Sequence, residues 1–435
     1  MQNLVWNPIY FPQSAATKSV DALDSGSPLP AVVRQVVSTL LGEKAFRGSN
    51  PELDVSVNGS VFDILTLVLP PMPSRAAFWW DRLGKPFASM MVTAAFTVEL
   101  QARFLIFVYT RVLGFMGPED EAVGPGSYMT AEGSPVELSW VILDRSKPRP
   151  GEVTRQLRFC IEPRDPETGF LYKGTSTGLQ KLRIFCVPSQ TPISIESFNT
   201  DKLLDQLGAR LHPALTEPLE TVRLYTHRTE SLRRPFATIA AVDCVEPDAN
   251  RLKIYFRGTE RTSWPEARMG FTLNGALENS PEVAEGQNKM ELLWNYLFPN
   301  ATSAIKIDVP VVTVPAAASG DNRPVHSLGL LFYYEFYAND HNVYPKIYLP
   351  VQTYCKNDLA ICHSVEKFYN DIGVKGPECG ERGEGWVARE VVKSFGYRKL
   401  ETRCGIITYV TLGAKKGGWE VTMYFTPEPW AAERK

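Results

Sequence analysis

Several short stretches of the chain alternate polar and apolar side chains, and this pattern predicts β-strands with two different faces. The clearest is the stretch 251–256, with the sequence Arg-Leu-Lys-Ile-Tyr-Phe. Arg251, Lys253 and Tyr255 therefore share one face, and the apolar side chains share the other. Any surface strand with one face exposed to solvent shows the same pattern. The pattern is informative here because it recurs in other parts of the chain.

The same division recurs in the other candidate strands. Their polar faces carry Glu137 and Ser139, Arg158, Arg183 with Phe185, Lys346 with Tyr348, and Thr422 with Tyr424. One face is repeatedly basic or tyrosine-bearing, and the other is apolar and must be covered by another layer. If the sheet closes into a barrel, we expect helices outside and a cationic, tyrosine-rich lumen. Such a lumen suits a polyanion and a carbocation.

The predicted elements follow a rhythm of helix, strand, strand and helix. Strand pairs are expected at 136–144 with 156–163, 237–245 with 251–257, 327–338 with 345–351, and 406–415 with 419–426, and a further strand at 182–187. Helical spacing covers 31–46, 78–114, 195–232, 263–298, 357–372 and 384–396. A short strand is expected at Val61–Leu69, ended by Pro70. This order predicts an α+β fold, an antiparallel β-barrel with a polar lumen and an outer ring of helices.

Composition excludes few classes of function, and mainly argues against binding to nucleic acid or membranes. The formal charge is −2, so no basic field points to nucleic acid. The seven cysteines are scattered without a C-x-x-C pair, and residues 1–6 lack the start of a signal peptide. No stretch approaches the length of a membrane span. We therefore expect a cytoplasmic protein with reduced thiols and no membrane contact.

Several segments carry a family resemblance, and they occur in the family's order. They are Trp79-Trp80 with the helix that follows, Pro135–Trp140, Arg158–Pro163, Val242–Val245 with Arg251–Tyr255, Pro345–Pro350, and Thr408–Tyr424. Together they resemble the fungal-type aromatic (indole) prenyltransferases of the dimethylallyltryptophan synthase family, over residues 78–427. The resemblance implies an αββα prenyltransferase barrel over 76–435, with residues 1–75 as a partly irregular N-terminal extension.

The resemblance also implies a reaction. An allylic diphosphate, dimethylallyl or longer, ionises, and an electron-rich indole or phenolic (polyketide) acceptor traps the cation in secondary metabolism, including alkaloid biosynthesis. The family requires no metal, with Mg²⁺ as a stimulant at most, and the sequence contains no Asp-Asp-x-x-Asp cluster. The expected partners are these two small molecules, and the expected state is a monomer or homodimer.

The resemblance assigns roles to individual side chains. Glu137 is the expected base, which would accept a hydrogen bond from the acceptor and help to remove its proton. The expected diphosphate ligands are Arg158, Arg183, Arg251, Lys253, Lys346 and Lys415. The expected shield of the allyl cation consists of Phe185, Tyr255, Tyr348, Tyr409 and Tyr424. Glu162, Trp79 and Trp80 are expected to be structural, and of Lys415 and Lys416 one must point outward.

Two departures from the family pattern leave alternatives open. Arg183 and Phe185 stand where the family has lysine and tyrosine, and the segment 164–181 is short, so one barrel repeat is abbreviated. A terpenoid cyclase on the same barrel is therefore the second hypothesis. A non-catalytic barrel that binds an isoprenoid or another anion is the third.

Overall fold

The computed structural model describes residues 29–42, 59–123, 127, 130, 132–142, 155–165, 167–169, 215–229, 235–242, 251–257, 263–299, 329–337, 340–373 and 385–434. Arg183 and Phe185 lie outside these residues, as do the strand predicted at 182–187 and most of the shortened segment 164–181.

Eight strands form one antiparallel sheet in the described part of the chain. They are β1 (Val136–Ile142), β2 (Arg155–Ile161), β3 (Phe236–Val242), β4 (Arg251–Arg257), β5 (Leu331–Tyr337), β6 (Tyr344–Leu349), β7 (Ile407–Lys415) and β8 (Gly418–Phe425). The strand order is β2-β1-β8-β7-β6-β5-β4-β3, and all neighbours run antiparallel. The four predicted strand pairs are confirmed, and the last strand in sequence joins the first pair to the rest.

The two faces of the sheet differ as the alternation predicts. Along β4, the apolar side chains Leu252, Ile254 and Phe256 are buried, whereas Arg251 and its neighbours on the other face are partly exposed. Because the period of a strand is two, the register of each pair carries this division from strand to strand. The apolar face joins the main core, and the polar face forms a separate surface.

The sheet is strongly curled, so that distant strands face each other. β2 and β4 are six places apart in the strand order, which in a flat sheet would separate them by about 29 Å at the usual strand spacing. Yet Arg158 on β2 interacts electrostatically with Arg251 on β4, and Cys160 on β2 interacts with Lys253. The polar face therefore lines the inside of a barrel-shaped wall, here called the lumen.

Helices cover the outside of this wall. The described ones are α1 (Leu29–Leu41), α2 (Val61–Val68), α3 (Ser74–Trp79), α4 (Lys85–Thr93), α5 (Val98–Phe107), α6 (Thr216–Arg228), α7 (Trp264–Thr272), α8 (Pro281–Leu297), α9 (Val351–Tyr354), α10 (Asp358–Asp371) and α11 (Trp386–Phe395). α7 packs on β6, and α8 packs on β7 and β8. A Cβ atom at Gly286 of α8 would lie 3.7 Å from that of Ala414, so this helix lies directly on the sheet.

Residues 61–68 form a helix, so the strand predicted there is wrong. Ser60 and Asp63 cap it reciprocally: the Asp63 amide donates to Ser60 Oγ over 3.3 Å, and the Ser60 amide donates to the Asp63 carboxylate over 2.9 Å. The buried side chains recur at helical spacing, namely Val61, Phe62, Ile64, Leu65 and Val68. This cap and spacing outweigh the strand propensity of a short, β-branched run.

The long helical zone predicted at 78–114 is divided into several pieces. Ala95 adopts a φ of 59°, which separates α4 from α5, and Gly117 adopts a φ of 78° after the last turn. Trp79 and Trp80 are 0% and 3% exposed, so their predicted place in the core is confirmed. α1 and α2, from the first 75 residues, pack against α5.

Candidate active site

The lumen gathers every described residue that the sequence predicts for the site. These are Glu137 on β1, Arg158 on β2, Arg251, Lys253 and Tyr255 on β4, Lys346 and Tyr348 on β6, Tyr409 and Lys415 on β7, and Tyr424 on β8. Lys415 is 16% exposed and points inward, whereas Lys416 is 70% exposed. The alternation therefore brings side chains from six strands to one surface.

Glu335 lies among the cations and was not predicted from the sequence. Its carboxylate on β5 is 0% exposed and lies 2.8 Å from Lys415 Nζ and 3.3 Å from Arg251 Nη1. The hydroxyl of Tyr337 donates to it over 2.5 Å. Burial alone would raise the pKa of Glu335, but Lys415 and Arg251 outweigh burial and hold that pKa below its usual value.

Glu420 on β8 is a second carboxylate of the lumen that was not predicted from the sequence. Lys346 Nζ donates to it over 3.0 Å and to Thr422 Oγ1 over 2.8 Å. Glu420 also lies 3.7 Å from both Arg158 Nη2 and Lys415 Nζ. Burial would raise the pKa of Glu420, but the nearby cations, Lys346 first, hold it well below its usual value.

The ammonium of Lys346 is more deeply buried than the charged groups of Arg158, Arg251 and Lys415. Its side chain is 1% exposed. Burial lowers the pKa of Lys346 to about 7, Glu420 opposes that shift, and Lys415 and Arg158 add to it. Gly413 on β7 leaves room for the Lys346 stem, because a Cβ atom there would lie 3.1 Å from it. The charge of Lys346 is therefore sensitive to pH and to any anion that arrives.

Tyrosines form a cage next to the cations. Tyr348 occupies its centre, with ring centroids 5.2 Å from Tyr424, 5.7 Å from Tyr409 and 6.2 Å from Tyr255. The hydroxyls of Tyr348 and Tyr424 lie 3.0 Å apart. Burial raises the pKa of Tyr348 well above its usual value, so the ring stays a neutral phenol with an intact π face.

Tyr333 completes the cage and was not predicted from the sequence. Its ring lies 5.1 Å from Tyr255 and 6.1 Å from Tyr348. Lys346 Nζ and Lys415 Nζ each lie 5.7 Å from its centroid. The cage and the cationic group are therefore in direct contact. Tyr333 and Glu335 share one face of β5, and only this faint alternation within the largely aromatic run 331–337 marks them in the sequence.

Glu137 lies on the far side of the cage. Thr408 Oγ1 donates to its carboxylate over 2.8 Å. Burial raises the pKa of Glu137 to about 8, Thr408 opposes that shift, and Glu132 adds to it. In the empty lumen at neutral pH the carboxyl is therefore mostly protonated, and a nearby positive charge would favour its ionised form.

The three groups follow one another along the lumen. Glu420, Thr422 and Tyr424 lie in this order on the inner face of β8. On the neighbouring strand β1, Leu138 pairs with Phe425, so Glu137 lies one position further along, beyond Tyr424. The distance along the strand from Glu420 to the level of Glu137 is about 20 Å. The order is cations, tyrosine cage, carboxyl. A molecule with an anionic head and a reactive tail could span the first two groups.

The described residues contain no group of three or more His, Cys, Asp or Glu side chains arranged to hold a metal ion. In the same part of the chain, no helix combines the length and apolar character needed to cross a membrane.

Comparison with known proteins supports the resemblance seen in the sequence. The model of the family described as tryptophan dimethylallyltransferase matches residues 76–171 and 173–381. The 7-dimethylallyltryptophan synthase of Aspergillus fumigatus is 23% identical over 442 residues, which are 84% of this chain and 88% of the relative. The 4-O-dimethylallyl-L-tyrosine synthase of Claviceps purpurea is 30% identical over 218 residues, 49% of this chain and 45% of the relative.

A solved structure shows the same fold. The crystal structure of AnaPT from Neosartorya fischeri matches with a TM-score of 0.61 at 19% identity, covering 84% of this chain and 97% of that one. The predicted fold class, an antiparallel β-barrel with a polar lumen and an outer layer of helices, is confirmed.

Proposed function

The chain belongs to the tryptophan dimethylallyltransferase family and is a prenyltransferase, and from this premise we propose its mechanism and its substrates. It transfers an allylic group, dimethylallyl or longer, from its diphosphate to an electron-rich aromatic acceptor in secondary metabolism. The acceptor is an indole or a phenol, the two ring types in the names of the tryptophan and tyrosine relatives. The observation that carries the proposal is the order of cations, tyrosine cage and Glu137 along one lumen.

The cations bind the diphosphate and stabilise its departure. Negative charge grows on the leaving group as the carbon–oxygen bond breaks, and fixed ammonium and guanidinium groups favour that change without reorganisation. The described candidates are Arg158, Arg251, Lys253, Lys346 and Lys415, which converge from four strands. Arg183 remains a prediction for the same role.

The tyrosine cage holds the allyl cation. Electron-rich π faces attract a carbocation and also exclude the water that would quench it. Tyr348 is surrounded by rings at 5.2 to 6.2 Å, so an allyl group in the cage would meet aromatic carbon on several sides. Phe185 remains a prediction as a further member of this shield.

Glu137 accepts the proton that the acceptor ring loses. Its pKa of about 8 keeps it mostly protonated before substrates bind. The positive charge that forms on the allyl group, and then on the acceptor ring, favours the carboxylate. Glu137 acts from its ionised form: it releases its proton to solvent before the acceptor ring is attacked, takes the ring proton afterwards, and is ionised in a growing fraction of molecules as the pH rises through about 8.

We propose that the cationic side chains supply all the charge stabilisation that the reaction requires, so that Mg²⁺ is a stimulant at most. Cytoplasmic location, a monomeric or homodimeric state and the extension over residues 1–75 remain predictions.

Replacing Thr408 with valine is expected to shift the pH profile of the reaction. Thr408 donates to Glu137 over 2.8 Å, and this bond favours the ionised carboxylate. Without it the pKa of Glu137 rises above about 8, so the rise of kcat/KM for the acceptor moves to higher pH, by about half a unit or more. Measuring kcat/KM for the acceptor between pH 6 and 10, with saturating donor, tests for this shift.

Thr411→Val is the control. It removes a buried hydroxyl that donates to the Thr422 carbonyl, and it should leave the pH profile unchanged. Equal profiles for Thr408→Val and the wild type would contradict the role of Glu137 as the base.

A mass-spectrometric activity screen tests the proposed function. Purified protein with EDTA is incubated with dimethylallyl, geranyl or farnesyl diphosphate, each with indoles, phenols, xanthones or no acceptor. One added prenyl unit on an aromatic acceptor is the expected result, and it identifies donor and acceptor together. A cyclised terpenoid formed without acceptor would establish the cyclase instead. Diphosphate binding without release in every mixture, with or without Mg²⁺, would establish a binding protein.

A further inference from the structure

Two carboxylates lie inside the group of cations that is proposed to bind an anion. Glu335 is 0% exposed and Glu420 is 14% exposed, both counted on the side chain. Burying a carboxylate is unfavourable unless cations compensate it, and each of these two has several. Their depressed pKa values indicate that both are ionised in the empty lumen. A site built only to attract diphosphate would not need them.

Each carboxylate connects cations that come from different strands. Glu335 on β5 joins Arg251 of β4 to Lys415 of β7, with contacts of 3.3 and 2.8 Å. Glu420 on β8 joins Lys346 of β6 to Arg158 of β2, with contacts of 3.0 and 3.7 Å. Lys415 lies near both carboxylates. The four cations and two carboxylates thus form one continuous row across the lumen.

The row also limits the charge of the site. Five described cations and two carboxylates leave a net charge of +3 when all are ionised. Without the carboxylates, five cations would face each other at short range, and their mutual repulsion would be relieved only by a tightly held anion. The reaction produces such an anion, inorganic diphosphate, in every cycle.

We propose that Glu335 and Glu420 are positioning residues that act as internal counter-anions: they hold the cations in register in the empty site, and they compete with diphosphate for those cations so that it can leave after each turnover. The inference rests on the proposed function, because it assumes that this group of cations binds the donor diphosphate. When diphosphate enters, it takes hydrogen bonds that the carboxylates make in the empty site. When it leaves, the carboxylates take those bonds back, which lowers the free-energy cost of its departure.

The variants Glu335→Gln and Glu420→Gln test this inference. Glutamine keeps the shape and an acceptor oxygen but removes the negative charge. The dissociation constant of inorganic diphosphate, measured by titration calorimetry without donor or acceptor, should fall at least about tenfold in each variant, the effect of one charge at short range. In the full reaction, KM for the donor should fall, kcat should fall, and rapid quenching should reveal a burst of product before a slow steady state.

Glu366→Gln is the matched control. Glu366 on α10 is 5% exposed, and its carboxylate accepts from the Gly385 amide over 2.7 Å, outside the lumen. This variant should bind diphosphate as the wild type does. If only Glu335→Gln and Glu420→Gln bind diphosphate more tightly, the effect comes from the place of these carboxylates among the cations and not from removing a buried carboxylate in general.

The outcomes separate failure of the inference from failure of the proposed function. Unchanged or weaker diphosphate binding in both glutamine variants, with diphosphate binding to the wild type, would overturn the inference and leave the proposed function intact. No binding of diphosphate to the wild type would overturn the proposed function as well. If Glu335→Gln does not fold, Glu420→Gln, at a more exposed position, decides the matter with the same titration.

Discussion

Replacing Glu137 with glutamine is expected to lower the rate of prenyl transfer by about a hundredfold to ten-thousandfold, the usual contribution of a general base. Glutamine keeps the size of the side chain and can still accept from Thr408, which donates over 2.8 Å in the wild type. It cannot take the proton that the acceptor ring must lose. Steady-state kcat with a saturating donor and acceptor measures the loss.

Diphosphate binding distinguishes this loss from a general collapse of the site. Glu137 lies beyond Tyr424, about 20 Å along the strand from Glu420. Glu137→Gln should therefore bind inorganic diphosphate as tightly as the wild type. Glu162→Gln, which removes a carboxylate that contacts Arg164 at 3.1 Å, should retain activity. A Glu137→Gln enzyme with near-normal kcat would show that another group takes the proton.

The second large effect is expected at Lys346. Lys346→Gln should raise KM for the donor about tenfold to a hundredfold, since hydrogen bonds to charged groups are the strong ones in such a site. Burial lowers the pKa of Lys346 to about 7, so in the wild type the free enzyme loses this ammonium as the pH rises above 7. Donor affinity should accordingly weaken from pH 7 to pH 9. Donor KM measured across that range tests both expectations.

Lys346→Arg provides the matched comparison, because arginine keeps its charge over the whole range. Its donor KM should be less dependent on pH than that of the wild type, even if the larger head group fits less well beside Gly413. A wild-type profile that is flat between pH 7 and 9 would mean that Lys346 stays charged, and would contradict the effect assigned to burial.

Alternation of side chains was sufficient to predict most of this lumen. Arg251, Lys253 and Tyr255 share a face because a strand has a period of two, and this holds for any strand with that sequence. The pairing of strands within each hairpin was also predictable, because at most twelve residues separate the two strands of each pair. The family resemblance then supplied the expected role of each side chain.

Most of the features missed depend on contacts between distant parts of the chain. Tyr333 and Glu335 lie in a nearly continuous apolar and aromatic run, 331–337, whose alternation is hard to see. Glu420 comes before the part of β8 in which polar and apolar side chains clearly alternate. Its contacts with Arg158 and Lys346 form only because the sheet curls and brings those strands together. The pKa of Lys346 likewise depends on burial between strands. The helix at 61–68 was missed because two polar residues, Ser60 and Asp63, decide its start.

A crystal structure with a thiolodiphosphate analogue of the allylic donor would show whether the donor binds in the lumen as proposed. We expect the diphosphate within hydrogen-bond distance of Arg158, Arg251, Lys253, Lys346 and Lys415. We also expect the allyl carbons between the rings of Tyr255, Tyr348 and Tyr424, with Glu137 on the side of the cage away from the cations. An analogue bound outside the lumen, or inside it with its diphosphate away from these cations, would contradict the assignment of the site.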